Sequence, residues 1–252
     1  MTPDYQIRLA LLLAQSGCLF FAPGLTLKDG RPSPYFINFG RLRTGRLSWE
    51  LARCYAGWLM ESPYREQVDV LVGPSYKGSA IAQALALALY KDFSWEVAFE
   101  YDRKEAKTHG EASGGANLFV TGALSDRSRV LIVDDVTTSM RTKLEIVDKL
   151  GEEARRRDLT LEIKAIVTAV DREQTQAVYD REGKARPGVK GADAAAEFTR
   201  RTGIAVHALL GIREMLRILR REREPVLING QWRPLAEEEL GRVNEYLDIY
   251  GR

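Results

Sequence analysis

Apolar side chains recur along this chain in two rhythms, one with a period of about 3.6 residues and one of short unbroken runs. Residues 4–17 keep the helical spacing and stop at Gly17, which predicts a first helix. Between Phe20 and Gly40 the periodicity gives way to Gly, Pro and aromatics, in Ala22-Pro23-Gly24 and in Lys28-Asp29-Gly30-Arg31-Pro32-Ser33-Pro34-Tyr35-Phe36. That mixture predicts short strands joined by tight turns. A second helix is expected from about Ser48 to Glu61, with Leu51, Tyr55, Trp58 and Leu59 on one face.

From residue 68 onward, apolar runs alternate with helical stretches. Val68-Asp69-Val70-Leu71-Val72 stops at Gly73-Pro74 and precedes a helical segment over Gly78–Tyr90, and Glu96–Tyr101 is the next candidate strand. Val130-Leu131-Ile132-Val133 runs into Asp134-Asp135 and then a helix over Thr142–Arg156, while Ile163–Val170 runs into Asp171-Arg172. β-branched runs separated by helices predict an α/β fold with a parallel sheet covered on both faces. Asp180–Asp193, polar and bearing Gly and Pro, reads as a loop or insertion. A short strand near Ile204–Leu209, an amphipathic helix over about Ile212–Arg223, a turn at Trp232-Arg233-Pro234 and a last helix over Glu237–Tyr250 follow.

Composition narrows the possibilities. The 252 residues carry 37 Lys+Arg against 35 Asp+Glu, a formal charge of +2, which argues against a protein that coats nucleic acid or an anionic membrane. Cys18 and Cys54 form no CxxC pattern, which rules out a disulfide framework and a Cys-rich zinc site. With only His109 and His207 besides, an all-protein metal cage is not expected. No secretory segment or membrane span is visible, so the reading is a cytoplasmic protein. Arg217, Arg220, Arg221 and Arg223 read as a solvated helix face rather than a DNA-binding one. His207 is read as structural, Trp49, Trp58, Trp95 and Trp232 as core or interface, and the two cysteines as buried hydrophobes.

Candidate chemistry gathers at strand ends, where ligands bind in open α/β sheets. A buried strand delivers Asp134 and Asp135 at its tip, and Val136-Thr137-Thr138-Ser139 leads to a helix start suited to a phosphate. The neighbouring carboxylates could accept hydrogen bonds from sugar hydroxyls. Asp residues starting an ordinary turn are the plain alternative. Earlier, Arg103, Lys104, Lys107 and His109 precede Gly110, Gly114 and Gly115, so these cations ride on a loop rather than a helix. Such a loop suits a substrate carrying several negative charges that must be sealed from water.

Together these motifs resemble the orotate phosphoribosyltransferases of the type I phosphoribosyltransferase family. The likeness covers about residues 20–175 in five motifs: Leu27–Arg31 with Ser33–Phe36, Gly73-Pro74-Ser75-Tyr76-Lys77-Gly78, Arg103–Glu111, the Asp134-Asp135 strand, and Val170-Asp171-Arg172-Glu173. It implies a parallel sheet flanked by helices with a small N-terminal hood (about 18–45), a core (about 46–210) and a helical C-terminal extension (about 211–252), in one domain. It also implies transfer of the phosphoribosyl group of phosphoribosyl pyrophosphate (PRPP) to orotate with Mg²⁺, for pyrimidine biosynthesis, in a homodimer whose cationic loop is shared across subunits.

Residue by residue, the resemblance implies that Asp134 and Asp135 hold the ribose hydroxyls. Thr137, Thr138, Ser139, Arg141 and Thr142 would meet the PRPP phosphate, with Tyr76 and Lys77 also on PRPP. Arg103, Lys104, Lys107 and His109 would close over the pyrophosphate. Lys28 would lie between PRPP and orotate, Phe36 and Ile37 would flank the pyrimidine, and Thr138 and Arg172 would bind orotate. No protein ligand to a metal is implied.

Two departures stand out. Where the family has small residues and a glycine, this chain has Ser139-Met140-Arg141-Thr142, so the phosphate loop is expected to follow a different path, with Arg141 pairing with the phosphate. Ala112-Ser113 lengthens the cationic loop. Two other functions remain open: a PRPP-sensing regulator on the same fold, which would have little need of Lys107 and His109, and a transferase for a different base, which Arg172, Lys28 and Phe36 disfavour.

Overall fold

A computed structural model describes residues 2–104, 118–137 and 139–252. α1 (Asp4–Gln15) leads into β1 (Leu19–Phe21) and β2 (Tyr35–Ile37), and α2 (Gly45–Glu61) follows. Next come β3 (Val70–Gly73), α3 (Lys77–Phe93), β4 (Ala98–Tyr101), β5 (Arg129–Thr137), α4 (Arg141–Arg157) and β6 (Glu162–Asp171). The chain continues through α5 (Ala194–Thr202), β7 (Ala205–Gly211), α6 (Ile212–Glu222), β8 (Val226–Ile228), β9 (Gln231–Arg233) and α7 (Glu237–Tyr250).

The expected parallel sheet has five strands in the order β4-β3-β5-β6-β7. Its runs are apolar on both faces because both are covered. Val70, Val72, Val130, Ile132 and Ile166 pack with Ile146 and Leu150 of α4 and Phe198 of α5. The alternate positions Leu71, Leu131, Val133 and Val167 join a larger cluster with Leu13 of α1, Tyr55 and Leu59 of α2 and Leu85 of α3.

One pairing detail creates the cleft. β5 pairs with β3 only through Val130, Leu131 and Ile132, but with β6 as far as Thr137↔Asp171. Past Ile132 the β3 side of β5 is therefore left open, and Asp134 and Asp135 sit in that overhang.

A second sheet has the strand order β2-β1-β8-β9. β1 pairs antiparallel with β2 and parallel with β8. The segment after residue 211, expected to be a helical extension, thus contributes a hairpin to this sheet as well as two helices. Its turn is Asn229-Gly230, with φ of 50° and 81°, a pair suited to a two-residue hairpin. α5 was also not anticipated; Asp193 caps it by accepting from the N–H groups of Ala195 and Ala196, and Gly203 at φ 73° ends it.

The remaining expectations divide. Cys18 and Cys54 are buried thiols, and Trp58 is buried, but Trp232 on β9 is exposed. Arg217, Arg220 and Arg221 pair with Glu214, Glu237 and Glu222, as befits a solvated face. No helix among the described residues is long and apolar enough to cross a membrane.

Candidate active site

The site begins at the turn from β3 to α3. A Cβ on Gly73 would lie 2.0 Å from the Gly78 carbonyl oxygen, and one on Gly78 would lie 2.9 Å from the Val133 oxygen. Both positions have room only for hydrogen, which lets the start of α3 press against β5. Lys77, the first residue of α3, then reaches Asp135 with Nζ 2.8 Å from Oδ2. Beside it Tyr76 is exposed, and Lys104 Nζ lies 5.6 Å from the centroid of its ring. Four residues singled out in the sequence are so brought to one place.

Asp134 takes a different position from the one expected. Neighbouring strand residues point to opposite faces, and Asp134 turns inward, where Lys143 Nζ meets its Oδ2 at 2.5 Å and also donates to the Val136 carbonyl at 2.8 Å. Burial pushes the Asp134 carboxyl above the usual carboxylate range, opposed by Lys143 and reinforced by Asp135. Asp135 is thus the carboxylate presented to the cleft. Thr137 likewise departs from expectation: its hydroxyl is buried, 2.7 Å from that of Thr168, and serves the β5–β6 contact.

At the start of α4, Ser139, Arg141 and Thr142 are exposed around a helix N-terminus whose first N–H groups have no helical acceptor. Met140 occupies the left-handed region at φ 59°. The positive φ that the loop was expected to avoid is adopted there despite a cost of about 1–2 kcal/mol for a non-glycine residue. Burial of the Met140 side chain in the cluster of Ile132 and Ile146 offsets it. The Arg141 guanidinium lies along the helix, paired with Glu145 at 3.1 Å. Thr138 lies outside the described residues, as do Lys107 and His109.

Arg172, one residue beyond β6, defines the other half of the site. It is buried, stacks 4.2 Å over the Tyr35 ring, and donates from Nη2 to Ser33 Oγ and from Nε to Gln174 Oε1, each at 2.9 Å. No carboxylate forms a salt bridge with it among the described residues. Phe36 is half-buried on the face of β2 opposite Tyr35 and Ile37. Ile37 is buried in the core, so its side chain is not available to flank a ligand; only the free backbone edge of β2 is. Lys28 is exposed on the turn closed by the Leu27 N–H to Arg31 carbonyl bond, and no hydrogen bond or ion pair joins it to Arg172 or Asp135 among the described residues.

Several supporting residues escaped the sequence reading. Asp102 is buried; it accepts from Ser75 N–H at 2.7 Å and from Lys149 Nζ at 2.5 Å, tying the β3–α3 turn to β4 and α4. Glu100, fully buried, accepts five backbone N–H bonds, from Tyr101, Val120, Thr121, Gly122 and Ala123. The Arg103 N–H donates to the Leu118 carbonyl at 2.8 Å. The chain therefore leaves for residues 105–117 and returns from them at one pinned point. Lone acids and lysines give no sequence signal of these pairings.

Comparison with known proteins now bears on the whole arrangement. The model of the phosphoribosyl transferase domain matches residues 40–191. An orotate phosphoribosyltransferase from Bifidobacterium adolescentis is 34% identical over all of both chains, and one from Chromohalobacter salexigens is 35% identical over 98% of this chain and 95% of its own. The crystal structure of the Francisella tularensis orotate phosphoribosyltransferase superposes with a TM-score of 0.71 at 26% identity, covering 98% of each chain. The chain belongs to the orotate phosphoribosyltransferase family, within the wider group that shares the phosphoribosyl transferase domain.

Proposed function

We propose that the chain transfers the 5-phosphoribosyl group of PRPP to orotate, giving orotidine 5′-monophosphate and pyrophosphate in pyrimidine biosynthesis. One observation carries the substrate assignment: the buried Arg172 guanidinium, stacked on Tyr35 and lacking a carboxylate partner among the described residues, one residue past the strand beside Asp135. A buried cation without a counter-ion is costly, and a planar carboxylate ligand supplies the missing partner.

The anomeric C–O bond breaks with its electron pair leaving on pyrophosphate, a ring nitrogen of orotate forms the new bond to that carbon, and the proton that nitrogen gives up passes to the departing pyrophosphate or to water. Positive charge grows on the ribose while negative charge grows on the leaving group. Asp135 accepts from the ribose hydroxyls and offsets the former. Arg103, Lys104, Lys107, His109 and Lys77, with Tyr76, surround the latter, where fixed cations act most strongly in the transition state. The start of α4 receives the 5′-phosphate through its free N–H groups and Thr138, Ser139, Arg141 and Thr142. Lys28 stands between the substrates, and Phe36 and the backbone of Ile37 border the pyrimidine.

Mg²⁺ bound to PRPP would neutralise pyrophosphate charge. The donor set suits that role: strongly hydrated Mg²⁺ is well served by phosphate oxygens and water, and the Asp135 carboxylate, paired with Lys77, stands beside them at the cleft. A homodimer sharing the cationic loop belongs to the same reading, supported by the row of exposed Leu87, Tyr90 and Phe93 along α3, which a second copy would cover. So do a cytoplasmic setting and a division into hood, core and extension in which the hairpin of residues 226–233 joins the hood sheet.

Incubation with orotate, PRPP and Mg²⁺, followed by orotate absorbance, tests the reading. Turnover of orotate but not of a base lacking the carboxylate is the expected result. Folded protein that fails to consume orotate would overturn it.

A further inference from the structure

The last helix has no role so far, yet it is fastened to the residues that hold Arg172. Tyr246 Oη donates to Gln174 Oε1 at 2.9 Å, the same oxygen that accepts from Arg172 Nε at 2.9 Å. The ring of Tyr246 also meets that of Tyr35 edge-on, at 6.4 Å and 83°, and Tyr35 is the ring beneath the Arg172 guanidinium. Two of the three supports of Arg172, the Tyr35 ring and Gln174, thus lead to one side chain of α7; the third is Ser33 Oγ. The helix end is stitched in place as well: Thr175 N–H and Oγ1 both donate to the Tyr250 carbonyl, and Arg252 pairs with Asp171 and Asp193.

The amide orientation at Gln174 is not interchangeable. Arg172 and Tyr246 both bring hydrogens to it, so the oxygen must face them, and both its lone pairs are then used. With the hydroxyl removed, one lone pair is empty and the amide is held on one side only. The guanidinium keeps its charge, its bond to Ser33 and its stack on Tyr35, but its plane is held less firmly. Recognition of a planar carboxylate by an Arg fork depends on that plane.

We infer that Tyr246 and Gln174 are positioning residues of the base site, through which α7 sets the guanidinium plane of Arg172 for the carboxylate of the incoming base. The inference rests on the reading of Arg172 as the orotate contact. Neither residue touches substrate. α7 and the Gln174 strand end therefore act as a brace for selectivity.

The test is steady-state kinetics in both substrates for Tyr246→Phe, Gln174→Met and Arg172→Ala, with thermal melts of each. Tyr246→Phe should raise KM for orotate about three- to tenfold, the span expected for loss of one hydrogen bond, and Gln174→Met, which removes both bonds to its Oε1, should raise it at least as much. KM for PRPP should stay unchanged. In the Arg172→Ala background, Tyr246→Phe should add nothing further, because residues acting through one group are not additive. An Arg172→Ala variant with unchanged orotate KM would overturn the base-site reading and the inference with it. A raised KM there, with wild-type orotate KM in both Tyr246→Phe and Gln174→Met, would overturn the inference alone. So would equal rises in both KM values, which would mark a merely structural role.

Discussion

Lys143 and Asp134 face each other at the buried junction of α4 and β5, Nζ to Oδ2 at 2.5 Å, each less than a tenth exposed. Removing one member of such a pair strands a charge away from water. Lys143→Met should therefore destabilise the protein by about 3–5 kcal/mol. Adding Asp134→Asn removes the stranded carboxylate, so the double variant should recover part of that loss. Chemical denaturation of the single and double variants measures both; a double variant less stable than Lys143→Met would show that the pair is not the unit described.

Lys77 and Asp135 make an ion pair of almost the same length with opposite consequences. Lys77 is about half exposed, so water screens the pair, and Asp135→Asn should change stability by less than about 1 kcal/mol. Activity is where the change appears, since Asp135 is the carboxylate facing the cleft. Loss of a charge-assisted hydrogen bond to ribose should lower kcat/KM for PRPP by roughly 10- to 100-fold. Parallel melts and PRPP titrations separate the two effects.

These two pairs also show what was legible in the sequence. The strand-then-Asp-Asp pattern gave the location and the family, because buried runs and their polar ends are local features. It did not distinguish Asp134 from Asp135, since that depends on which face of β5 meets Lys143, eight and nine residues downstream in another element. The Asn229-Gly230 turn between Val226–Ile228 and Gln231–Arg233 is a strong local hairpin signal and could have been found. Its union with β1, some two hundred residues earlier, could not, because register between distant strands has no local signature. Gln174 and Tyr246 belong to the same class: ordinary residues whose role exists only once α7 docks.

Met140 sets packing against backbone strain. Met140→Gly removes a left-handed cost of about 1–2 kcal/mol. It also removes a buried side chain worth roughly 1.5–3 kcal/mol and adds a glycine entropy cost of about 0.5–1 kcal/mol. The balance is a destabilisation of about 1–2 kcal/mol. At Arg127, also left-handed at φ 60° but with an exposed side chain, no burial is lost and Arg127→Gly should be stabilising by about 0.5–1 kcal/mol. Equal denaturation midpoints for Met140→Gly and wild type would refute the offset.

His207 gives the pH dependence its sign. Its ring is half-buried, 5.7 Å from that of Trp58, with Nε2 2.9 Å from the Tyr64 hydroxyl, and burial lowers its pKa below the ordinary 6.5. The folded state thus holds the neutral ring more firmly than the unfolded chain does. The unfolded state takes up more protons as pH drops below about 6.5, so stability present above that value declines, levelling off once pH passes below the folded pKa. Tm measured from pH 8 to pH 5 should fall more steeply for wild type than for His207→Gln, which cannot titrate. Superimposable slopes for the two proteins would mean that the neutral Tyr64–His207 contact does not govern this window.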